Sequence, residues 1–166
     1  MKDMGKLTTI LLVVCLFCCS CCLTCSKETM SNWIERNANK WIKIAKDYSV
    51  EKRDSIVSID PDQFPELRGP LQPTSIRYSP QHNGFSISFE GSYCGETSKI
   101  LFYAPSQTNA VEVGNILLSI SIEDKQPARI TENSCRWNGL GADGTGYAYV
   151  EQIVPGWFYV EIHYPT

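Results

Sequence analysis

Three hydrophobic patterns follow one another along the chain. Residues 7–26 carry no charge, residues 30–48 repeat apolar side chains at three- and four-residue steps, and from residue 74 onward apolar positions alternate. Each period predicts a different element: an apolar helix, an amphipathic helix and half-buried strands.

The uncharged run spans twenty residues and follows Lys2 and Lys6. About 18 or more apolar residues suffice for a helix that spans a bilayer. A short basic segment before an apolar run is also the layout of a secretory signal. Three fates compete: a retained signal anchor, a signal cleaved after Thr24-Cys25-Ser26, and a lipidated cysteine, with Cys21 and Cys25 as candidate sites. Cys21 and Cys25 both lack the leucine at −3 that bacterial lipoproteins carry, and S-palmitoylation near a membrane is the eukaryotic counterpart. Basic residues near the segment number two before it and four after it, which by the positive-inside rule favours a cytoplasmic domain. Long following domains translocate largely regardless of charge, and the signal-like layout favours export. The expectation is a membrane-anchored protein with its domain outside the cytoplasm, secretion being the alternative.

Residues 31–48, "SNWIERNANKWIKIAKDY", place Met30, Ile34, Ala38, Trp41, Ala45 and Tyr48 on one helical stripe, with Trp33 and Ile44 widening it. Ser31 is the expected N-cap. Arg36, Lys40 and Lys43 line another face. The stripe packs on the following domain, or else the helix lies in a membrane interface, where Trp and Tyr are at home.

Five prolines between residues 60 and 80 remove backbone donors and predict an extended connection, with "SIVSI" before it as an edge strand. Beyond it, "GFSISFEG" sets Phe85, Ile87 and Phe89 on one face, and "NILLSISIED" does the same for Ile116, Leu118, Ile120 and Ile122. "SKILFYA" and "ARIT" add short runs. The end, "GYAYVEQIVPGWFYVEIHY", predicts a hairpin turning at Pro155-Gly156, because Pro then Gly suits a type II turn. Phe158, Val160, Ile162 and Tyr164 then form its core face, and Trp157, Tyr159, Glu161 and His163 the other. The expected fold is mainly β, α+β overall. An N-terminal apolar helix and an amphipathic helix precede an antiparallel β-sandwich or small barrel of about seven to eight strands. The expected organisation is 1–26 signal peptide or anchor, 27–50 amphipathic helix, 51–80 proline-rich connection and 81–166 β domain.

Charge and cysteine content narrow the chemistry. A net charge of −3 without a basic cluster argues against a nucleic-acid partner. Six of the eight cysteines lie between residues 15 and 25. Their two C-x-x-C pairs stand too close together to fold around one ion, so they read as small apolar residues, with no metal or cofactor expected. Cys94 and Cys135 are the others, and export predicts a disulfide between them, whose closed loop adds about 4 kcal/mol in the chain-entropy model.

"GLGADGTG" matches G-x-G-x-x-G as text, but a β run follows where a dinucleotide site needs a helix, so the glycines read as a turn. Asp143 in that loop lacks the further oxygens that calcium needs. A thiol enzyme would pair Cys94 or Cys135 with His82 or His163, and paired carboxylates such as Glu132 and Asp143 would serve acid–base chemistry. No nucleophile elbow, phosphate loop or HExxH helix accompanies them, and a non-enzyme is expected. Trp137, Asp143, Tyr147, Tyr149, Trp157 and Tyr159 are the candidate binding surface, for a protein or carbohydrate partner. The competing reading buries the aromatics in a two-layer core. The leading functional expectation is a tethered or exported binding module, ahead of a small exported enzyme and a structural envelope protein.

Overall fold

Serine 26 starts the first helix, five residues before the expected cap. Its Oγ accepts the Thr29 backbone N–H at 3.2 Å, so helix α1 runs Lys27–Val50. Ser31 lies inside that helix, where its hydroxyl donates to the Lys27 carbonyl at 3.0 Å. The computed structural model describes residues 25–50, 56–67, 71–94, 96–107, 109–118 and 127–165. The expected N-terminal apolar helix lies outside them. No described helix is long and apolar enough to cross a membrane.

After α1 come β1 (Val57–Ile59), 3-10 turns at Pro61–Gln63 and Pro65–Leu67, β2 (Pro73–Ser79), β3 (Gly84–Phe89), β4 (Tyr93–Cys94) and β5 (Thr97–Tyr103). Helix α2 (Ala110–Leu118) follows, then β6 (Arg129–Ile130), β7 (Ser134–Leu140), β8 (Gly146–Val154) and β9 (Trp157–His163). The nine described strands form one antiparallel sheet in the order β1-β2-β3-β5-β9-β8-β7-β6, with β4 also paired to β5. The sheet is open, its ends being the short strands β1 and β6.

A second sheet is not found among the described residues, so the sandwich and barrel expectations give way to one sheet with a helix on each face. On the first face, α1 lays Met30, Trp33, Trp41 and Ile44 against Ile76, Phe85, Ile87, Phe89, Leu101 and Trp157. The apolar stripe of α1 is therefore core. On the second face, α2 brings Ala110, Val113 and Leu118 to Phe102, Cys135, Trp137, Val150, Phe158 and Val160. Strand β9 serves both cores: Trp157 and Tyr159 belong to the first, Phe158 and Val160 to the second. Period two with both sets buried is what a central strand between two helical layers shows.

Helix α2 replaces the strand expected at Ile116 and Leu118; Ile120 and Ile122 lie outside the described residues. Alternation and helical spacing are both present here. Ala110, Val113, Gly114 and Leu118 repeat at three- and four-residue steps and are the buried positions. Asn109 decides the start, its Oδ1 accepting the Glu112 N–H at 3.0 Å. The hairpin turn holds as expected, with Gly156 at φ 78°.

Candidate functional site

The first face of the sheet has an apolar half under α1 and a polar half beyond the start of that helix. The polar half is built by alternation on four neighbouring strands. Arg136 on β7 faces Tyr149 on β8, Tyr149 faces Glu161 on β9, and Glu161 faces Lys99 on β5. One step along, Asn138, Tyr147, His163 and Thr97 form a parallel row. Directly opposite side chains stand about 4.5–5.5 Å apart at Cβ, so these rows interact.

Two carboxylates organise the patch. Glu161 takes the Tyr147 hydroxyl on Oε1 at 2.6 Å and the Tyr159 hydroxyl on Oε2 at 2.6 Å. Glu151 accepts from the Tyr149 hydroxyl at 2.5 Å and from Lys27 Nζ at 3.0 and 3.1 Å, which ties the start of α1 to β8. Hydrogen bonds to ionised acceptors are the short, strong kind. The Tyr147 ring lies 4.1 Å below the Arg136 guanidinium and stacks on His163 at 5.3 Å. His163 Nδ1 stands 3.1 Å from Thr97 Oγ1, and its Nε2 is 4.0 Å from a Glu96 oxygen. Tyr147, Tyr149, Glu151, Glu161, His163 and Arg136 are all half-buried, open to solvent on one side.

The tyrosine–carboxylate pairs hold their phenol protons. Burial first, then the bond to Glu161, raises Tyr159 well above the ordinary phenol range. The Glu161 bond first, then burial, raises Tyr147, and burial, then the Glu151 bond, raises Tyr149. An acid whose folded pKa is raised keeps its proton where the unfolded chain has lost it. Its stabilising contribution is complete below the unfolded value of 10.0 and is lost as pH climbs above it. In an alkaline titration followed by tyrosinate absorbance, these three phenols should ionise late and together with unfolding. Early, non-cooperative ionisation of every tyrosine would contradict the network.

The six expected surface residues separate. Tyr147 and Tyr149 join the patch. Trp137 (0 % exposed), Trp157 (3 %) and Tyr159 (4 %) are core residues, because both faces of the sheet are covered. Asp143 is exposed and turns back on its own loop: its Oδ1 accepts the Thr145 N–H at 3.0 Å and its Oδ2 the Thr145 hydroxyl at 2.7 Å. Those two bonds hold its carboxyl below the usual range. Gly141 and Gly144 serve the turn and Gly139 the register shift within β7, all three having φ between 73° and 80°.

The disulfide expectation is corrected. Cys135 is a free, buried thiol on the α2 face of β7. The Cys94 backbone lies on β4, and β5, β9 and β8 stand between it and β7. Four strand spacings are roughly 19 Å, far beyond the roughly 7 Å Cα limit of a disulfide. The same layout parts Cys135 from His163, which lies on the opposite face, and so removes that thiol–imidazole pair. Cys25 is 0 % exposed, its Sγ 3.5 Å from the Ser92 hydroxyl, whose oxygen accepts the Phe89 N–H at 2.6 Å. Burial pushes both thiols up. A sulfur so enclosed is not accessible for acylation in the folded domain. Cys21 lies outside the described residues.

Glu151, Glu161, Arg136 and Lys27 are not among the site residues the sequence suggests, and His163 is suggested there only as a thiol partner. A signal for part of them was present: "YAYVE" and "YVEIH" each alternate aromatic and ionisable side chains on one face. Among the described residues no cluster of His, Cys, Asp and Glu has the arrangement of a metal site. Set against known proteins, the chain matches no family model, no curated protein and no solved structure. The class it defines is architectural: an open antiparallel sheet between two helices, with a tyrosine–carboxylate patch on one face.

Proposed function

We propose that this chain is a membrane-tethered or exported binding module, and that the patch of Tyr147, Tyr149, Glu151, Glu161, His163 and Arg136 receives its ligand. The observation that carries the reading is the half-open network itself. Carboxylates, phenols, a guanidinium and an imidazole are held on three neighbouring strands of a rigid sheet, with their donor and acceptor groups already oriented. Pre-ordering of this kind lowers the entropy lost on binding. A mixture of aromatic faces and fixed acceptors suits a hydroxyl-rich ligand, and a carbohydrate is the favoured class, a protein surface the other. Every member of the network already has a structural partner, which favours recognition over catalysis. The tether is supported by the uncharged residues 7–26 behind Lys2 and Lys6.

The test is a glycan array probed with the labelled chain, followed by titration of the best binder. The double variant Tyr147→Phe/Glu161→Gln should lose at least about tenfold in affinity, since a buried polar contact left unpaired costs about 1–3 kcal/mol. Arg129→Ala, on the edge strand β6, should bind as the parent does. An array without a hit, together with no patch-dependent protein partner in cross-linking, overturns the reading.

A further inference from the structure

We propose that the outer face of α1 rests on an anionic lipid surface, an inference that builds on the tethering reading above. The apolar stripe of this helix is occupied by the sheet, so it is not free to enter a membrane. What the helix turns outward is basic. Arg36, Lys40 and Lys43 repeat at four- and three-residue steps, Lys46 follows one turn later, and all four are exposed. Asn32 and Asn39 lie on the same outward side; Glu28, Glu35 and Asp47 are its acids.

Charge is divided unevenly between the two parts of the molecule. Helix α1, residues 27–50, holds five basic and three acidic side chains, whereas residues 51–166 hold eight basic and fourteen acidic. An anionic surface therefore attracts the helix and repels the sheet, which orients the domain as well as holding it. Basic side chains act only within about a Debye length, roughly 8 Å in physiological salt. The uncharged run ends at Ser26 and the helix begins at the next residue, so the tether holds the first turn of α1 at the surface. A helix lying flat along the lipid brings the outer-face cations, which reach about 29 Å from Lys27 at about 1.5 Å per residue, within that range. Membrane attachment by one hydrophobic signal is commonly completed by a basic one. In this arrangement the tyrosine–carboxylate patch, on the sheet beside the first turn of α1, sits close to the lipid.

The experiment is lysine footprinting of the full-length chain in nanodiscs, with an amine-reactive ester and mass spectrometry. Lys43 and Lys46 should be acylated several-fold more slowly in discs containing phosphatidylglycerol than in pure phosphatidylcholine discs. High salt should restore the rate. Equal rates for Lys43 and Lys46 in the two discs overturn the docking. Co-elution with neutral discs reads the tether separately. Should the chain stay outside neutral discs, tethering fails, and co-sedimentation of the free chain with phosphatidylglycerol vesicles decides docking. Salt-sensitive sedimentation that Arg36→Glu/Lys43→Glu abolishes supports it, and no sedimentation overturns it.

Discussion

Gly114→Ala should destabilise the domain by about 3 kcal/mol, against the sign that helix propensity alone assigns. Gly114 is an interior residue of α2, where alanine is favoured over glycine by about 1 kcal/mol. A Cβ built on Gly114 would stand 1.8 Å from the Cη2 atom of Trp137 and 2.4 Å from its Cζ3. Trp137 is 0 % exposed and its ring is enclosed in the second core, so it cannot swing aside. Either the helix lifts from the sheet or the indole leaves its rotamer, and each loosens the packing around Phe158 and Val150. For a chain of this size the loss corresponds to roughly 10 °C in melting temperature. Thermal denaturation checks it, and a second variant separates clash from propensity: Trp137→Leu should make Gly114→Ala neutral or favourable. An unchanged or raised melting temperature for Gly114→Ala alone would show that α2 does not seat its backbone on Trp137.

Trp41→Ala should cost about 3–5 kcal/mol, a third or more of the stability of an ordinary domain. Trp41 is 0 % exposed and meets Phe85 at 5.2 Å with planes at 88°, Trp157 at 5.8 Å and Tyr103 at 6.1 Å. Trp33 extends the same cluster to Phe89 at 5.3 Å and Trp157 at 6.0 Å. Edge-to-face pairs add to the burial of each ring, so removing the central indole leaves a large hole and unpaired neighbours. Its N–H finds no acceptor among the described residues, so Trp41→Phe, which keeps a ring and drops that donor, should cost much less than alanine. Denaturant midpoints followed by near-ultraviolet circular dichroism measure both. If α1 used this stripe on a membrane, the alanine variant would weaken lipid binding and leave the sheet as stable as before.

Local pattern carried far in some places and stopped in others. The amphipathic helix, its buried stripe and the strands at residues 84–89 and 157–163 follow from periods that only one element satisfies. The Pro155-Gly156 turn follows from backbone sterics at two residues. At residues 110–118 the two periods coincide, and the strand reading failed because the second face of the sheet needed a cover that local alternation does not record. The disulfide failed for a related reason. Two cysteines 41 positions apart in the chain lie on strands separated by three others, and strand order is a property of the whole sheet.

The patch shows where chain pattern ends most sharply. Counted straight back from its turn, the terminal hairpin would set Glu151 opposite Val160. A register shift between Gln152 and Val154 moves the pairing by one, so that Glu151 faces Tyr159 and Tyr149 faces Glu161. A one-residue slip moves every side chain of a strand to the other face. The alternation in residues 147–151 and 159–163 is written in the sequence, because each strand decides it locally. Whether those two polar sets meet, and which of the aromatics lie under a helix, is decided only when the bulge, the neighbouring strands and both helices are in place.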